Sequence, residues 1–107
     1  MTTFDERQKG YEAKFARDEE LRFKATARRN RMLGQWAAEQ LGLNGVDAEE
    51  YAKTVVRADF ASPGDDDVIA KVLGDLKAKG VTATEAEIRQ RLLELMEQAI
   101  AQIEAGN

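Results

Sequence analysis

A chain of 107 residues holds one small domain with a single modest core, and the lack of both cysteine and histidine removes disulfides, thiolate nucleophiles, imidazole bases and nearly all structural zinc sites. A charged fraction of 34%, a mean hydropathy of -0.54 and no apolar run near the roughly 18 residues of a membrane helix predict a soluble intracellular protein without a secretion signal. The net charge of -4 hides an asymmetry: residues 1–43 carry nine Lys and Arg against seven Asp and Glu, residues 44–107 seven against thirteen, and bulk nucleic-acid affinity is not what this balance predicts.

In chain order, residues 1–17 read as an arm. Phe4, Tyr11 and Phe15 recur at i, i+7 and i+11, within an arc of about 40° on a helix, and the stripe then runs into the acids Asp18 and Glu19. Gly10 interrupts a segment too short to be helical alone, which predicts a flexible or partly helical arm that becomes an amphipathic helix in a partner's groove. A second stripe, Leu21, Ala25, Met32 and Trp36, lies roughly 70° away, so the two faces do not dock on one surface.

The bundle is expected over residues 18–107, with helices at about 19–41, 47–61, 65–79 and 84–104. The first opens on Asp18 to Glu20 and stops at Gly42. Asp47 and Glu50 read as a capping box, with Val46 and Tyr51 as its hydrophobic staple. Tyr51, Ala52, Val55 and Val56 form the inner face, and Phe60 closes the last turn before Ser62 and Pro63. Asp65, Asp66 and Asp67 begin the third helix, whose apolar face is Val68, Ile69, Val72, Leu73 and Leu76, and Gly80 ends it. Thr84 and Glu87 form another capping box ahead of the stripe Ile88, Leu92, Leu95, Ala99 and Ile103. Connections of about four to six residues favour antiparallel neighbours, hence an all-α, compact four-helix bundle carrying an N-terminal arm.

Catalytic chemistry finds little footing in these residues. The Asp65 to Asp67 run lacks the ligand spacing of an EF-hand, and helix capping is the better reading. Glu49, Glu50, Asp59, Glu85 and Glu87 read as solvated surface, and Ser62, the one serine, has no base to activate it. We therefore expect no enzyme and no metal. Arg22, Lys24, Arg28, Arg29 and Arg31 form a run without an acid. A solvated face is its commonest explanation; a phosphate-bearing ligand or an acidic partner is the functional one, with a nucleotide- or nucleic-acid-binding regulator as the alternative to a protein inhibitor. Trp36 reads as a core anchor.

The strings Phe4-Asp5-x-Arg7-x-x-x-x-Glu12-x-Lys14-Phe15-Ala16-x-Asp18 and Ala27-Arg28-Arg29-Asn30-Arg31-x-Leu33-Gly34-x-Trp36-Ala37-Ala38 closely resemble the zeta subunit family of alphaproteobacterial F-type ATP synthases. The likeness continues through Ala58-Asp59-Phe60 and Gly64-Asp65-Asp66-Asp67-Val68. It implies an ATPase inhibitor built as a small helical bundle, whose N-terminal segment enters a catalytic interface of the enzyme's head and blocks rotation in the hydrolytic direction. The implied partners are the alternating large subunits of that head and the rotor stalk, and the implied location is cytoplasmic, peripheral to the inner membrane through the ATP synthase. On this resemblance Phe4, Asp5, Arg7, Glu12, Lys14, Phe15 and Asp18 are the inhibitory positions, with Tyr11 added from periodicity. Weak binding of ATP or ADP is a further implied property, expected at Arg22, Lys24, Arg28, Arg29 and Arg31.

Overall fold

The computed structural model describes residues 18–60 and 64–106, and among them lie four α-helices and no strand: α1 (Glu19–Gln40), α2 (Gly45–Ala58), α3 (Asp66–Ala78) and α4 (Glu85–Glu104). The expectations for Phe4, Asp5, Arg7, Tyr11, Glu12, Lys14 and Phe15, and for the turn at Ser62 and Pro63, fall outside the described residues.

Each helix end that defines the bundle has a local cause. Asp18 is extended (φ -103°, ψ 102°), and its carboxylate accepts from the Leu21 backbone N–H at 3.2 Å, capping α1. Thr84 does the same for α4, its hydroxyl accepting from the Glu87 N–H at 3.1 Å. At the other end of α1, Gly42 takes φ +79°, which lets Leu43 N–H reach back to the Ala38 carbonyl at 2.9 Å. Gly80, at φ +83°, allows the same closure from Val81 to Leu76. A side chain at either position would strain the left-handed turn that these six-to-one bonds require.

The second helix departs from the sequence expectation. It starts at Gly45, with Asn44 at the cap and no side-chain capping bond, so Asp47 sits inside the first turn instead of ahead of it. Val46 is 76% exposed and staples nothing. Asp47 still favours the positive end of the helix dipole from within the turn, which is why an acid there is compatible with either register. At its far end α2 stops at Ala58, so Phe60 lies beyond the helix.

The apolar faces converge as their spacing predicts. Leu33, Ala37, Val55, Val68, Ile69, Val72, Leu76, Ile88, Leu92 and Leu95 form the main core, with Met32, Trp36, Tyr51 and Leu73 packed on its border. A smaller cluster of Ala25 and Ile100, joined by Leu21, Met96 and Ile103, ties the start of α1 to the end of α4. Each fully buried aliphatic side chain contributes about 1.5–3 kcal/mol through removal from water. Helices α1 and α3 each pack against all three others, placing α2 and α4 on opposite sides. Where α1 crosses α2, Gly34 lies so close that a Cβ there would stand 2.6 Å from the Ala52 Cα. No helix among the described residues is long and apolar enough to cross a membrane.

Candidate functional site

Helix α1 and its cap carry every described residue expected to bind a partner or a ligand, and they distribute them over different environments. Asp18, expected at the end of the inhibitory segment, is the cap that starts the helix, and its carboxylate is engaged by the Leu21 backbone.

The five cations of α1 do not form one surface. Arg29 is 5% exposed. It donates from Nε and Nη2 to the Asn30 Oδ1 at 3.1 and 2.9 Å, and from Nη2 and Nη1 to the two Asp65 carboxylate oxygens at 2.8 and 3.3 Å. Burial without these partners would carry a heavy desolvation cost, and the fork of the guanidinium satisfies it. Arg29 is thus a bolt from α1 to the start of α3. Asp65 holds the cap position of α3, yet its side chain makes no capping bond because the arginine has taken it. The expectation that this aspartate serves as a cap is corrected accordingly.

Arg31 reaches the other way, donating to Glu49 of α2 at 3.0 Å, and Lys24 pairs with Glu20 one turn back at 3.3 Å. Arg28 donates from Nη1 to Gln102 Oε1 of α4 at 3.3 Å. Lys24 and Arg28 do share one open groove of about 490 Å³, whose apolar wall is Phe23, Ala27 and Ile103. Of the five residues expected at a phosphate-bearing ligand, the fold brings these two together. It separates Arg29 and Arg31 from them and places Arg22 in a different groove.

That other groove, about 600 Å³, runs beside the gap between α1 and the end of α2 and includes Glu19, Arg22, Phe23, Asp59 and Phe60. Sequence reasoning missed its main feature. Phe23 and Phe60 stack with ring centroids 5.9 Å apart and planes at 29°, yet are 59% and 63% exposed. The available signal was that Phe23 falls off the Leu21–Trp36 stripe, and an aromatic off the stripe of a core helix is directed to solvent or to a partner.

The remaining acids behave as surface. Glu50 pairs with Lys53, and Glu85 and Asp66 both accept from Arg89. No cluster of three or more acidic side chains able to hold a metal occurs among the described residues. Tyr51 donates to Asp75 Oδ2 at 2.8 Å, the same oxygen that Lys71 reaches at 2.9 Å. Burial, reinforced by that carboxylate, pushes the phenol well above its ordinary range and keeps it a neutral donor tying α2 to α3. Trp36 is partly buried against the core, and the Arg91 guanidinium lies 4.6 Å from its ring centroid, so its face is covered.

The family described as ATPase inhibitor subunit zeta matches residues 1–102. A protein solved by solution NMR is similar to this chain at 47% identity with a TM-score of 0.72, over 81% of this chain and 99% of that one. No curated protein matches the sequence.

Proposed function

This chain belongs to the ATPase inhibitor subunit zeta family, and from that premise we propose that it inhibits hydrolysis by an F-type ATP synthase through residues 1–17, which enter a catalytic interface of the enzyme's head while the bundle stays outside. The observation that carries this reading is the start of α1 at its Asp18 cap. From the cap onward, the Leu21–Trp36 stripe is taken up by α2, α3 and α4, whereas the aromatic stripe ahead of it is in a different phase. Among the described residues, the main core and its border are built from side chains of all four helices and the turns that join them. Phe4, Tyr11 and Phe15 are then the anchors available to a partner, flanked by the charges of Asp5, Arg7, Glu12 and Lys14.

A segment that orders on binding offsets that cost with a few buried anchors, and aromatic side chains dominate such interfaces. Replacing Phe4 and Phe15 together by alanine should therefore weaken inhibition of the cognate ATPase by up to roughly a thousandfold, taking about 2 kcal/mol for each truncated anchor, with the helical content unchanged. A double variant as potent as the parent chain would remove these residues from the mechanism.

A further inference from the structure

The Phe23 and Phe60 rings stack on the outside of the bundle, 59% and 63% exposed, and neither belongs to either core cluster. Stability explains such a pair poorly, because each ring keeps much of its apolar surface in water. The surroundings give it the form of a ridge. On one side of Phe23 lies an open groove of about 490 Å³ with Lys24, Ala27 and Arg28, and on the other a groove of about 600 Å³ with Glu19, Arg22 and Phe60. Arg22 is exposed and makes no ion pair among the described residues. An arginine beside two exposed aromatic rings is the composition that dominates binding energy at protein interfaces.

We propose that Phe23, Phe60 and Arg22 make a second contact with the head of the ATPase, at the mouth of the catalytic interface, the rings entering an apolar cleft that carries a carboxylate for Arg22 at its edge. This rests on the inhibitory reading above. With residues 1–17 inside the interface, Asp18 stands at its mouth. Phe23 lies five residues further on, about 7.5 Å along the axis of α1, so the ridge belongs to the part of the bundle nearest the rim. Two contacts joined by one chain hold an inhibitor more firmly than either alone, because the second forms at the high local concentration that the first creates. The bundle then sets how long the segment stays in place.

Phe60 is exposed beyond the end of α2, so Phe60→Ala in the full-length chain should leave thermal unfolding unchanged. It should raise the half-inhibitory concentration toward the cognate ATPase by about tenfold, through faster dissociation. Phe23→Ala should act alike, and Arg22→Gln should weaken inhibition by roughly threefold and reduce its sensitivity to salt. In the complex with the head, the backbone amides of residues 57–60 should exchange more slowly than in the free chain. Parent-like potency in both phenylalanine variants, or unchanged exchange at residues 57–60, overturns the second contact and leaves the segment's role standing. A parent chain that binds the head without inhibiting defeats the inhibitory reading, and the exchange at residues 57–60 still decides the contact; a parent chain that does not bind the head overturns both. A dimer in sedimentation that Phe60→Ala converts to a monomer, with potency unaltered, overturns the proposal in favour of a second copy on the ridge.

Discussion

The two halves of α1 have opposite fates. From Arg29 to Ala38 the helix is enclosed: Arg29, Asn30, Leu33, Gly34, Ala37 and Ala38 are all buried, and they include an arginine, an asparagine and a glycine. From Asp18 to Lys24 no residue is buried; Phe23 stands in solvent, and a lysine pairs with a glutamate of its own helix. The difference lies in what the neighbours offer. Asp65 at the start of α3 provides a partner for a buried guanidinium, and the Ala52 backbone provides a surface that only a glycine can approach. Toward Asp18 the described residues offer fewer partners, and they include a capped start and an aromatic patch. At Arg29 and Asn30 residue type alone would suggest solvent, and the packing around them decides otherwise.

Substitutions should expose this contrast as a gradient of stability along α1. Asp65→Ala leaves Arg29 buried with only Asn30 to accept from it, and should cost about 3 kcal/mol in urea unfolding, since removing one partner strands a desolvated charge. Gly34→Ala places a methyl against backbone that cannot rotate aside. Overpacking of about 3 kcal/mol, offset by about 1 kcal/mol of helix propensity, should leave a loss of about 2 kcal/mol and a wider α1–α2 separation. A neutral or stabilising Gly34→Ala would show that these helices slide apart freely. Asp18→Ala, at the solvent end, removes only a capping bond and should cost no more than about 1 kcal/mol, read as fraying of the first turn by amide exchange. If Asp18→Ala destabilised as much as Asp65→Ala, the division of α1 would fail.

Much of the bundle was legible because apolar spacing survives in a sequence whatever the polar residues do. Val68, Ile69, Val72 and Leu76 of α3, and Ile88, Leu92, Leu95 and Ala99 of α4, lie buried where their period of 3.6 puts them. Gly42 and Gly80 end their helices for the backbone reason that makes glycine a stop signal. Elsewhere the same rules misled. Asp47-x-x-Glu50 satisfies the capping-box pattern, but Asn44 precedes it and the helix starts two residues earlier. Arg29 counted as one of five surface cations because charge patterning registers no burial, and its partner lies 36 residues away. The wide buried face of α1 was hidden for the same reason, since Arg29, Asn30 and Gly34 interrupt any apolar stripe. The stacking of Phe23 on Phe60 depends on where α2 ends, and helix ends are the least readable feature of a sequence.

On the proposed reading, the chain divides at Asp18 into a bundle and an effector segment. Deleting residues 1–17 and measuring both thermal unfolding and inhibition of the cognate ATPase tests it most directly. The truncated chain should keep a cooperative helical unfolding transition near that of the full-length chain, because the described main core and α1–α4 cluster draw on residues beyond Asp18, and it should lose inhibition. A truncated chain that inhibits hydrolysis as fully as the intact one would contradict it.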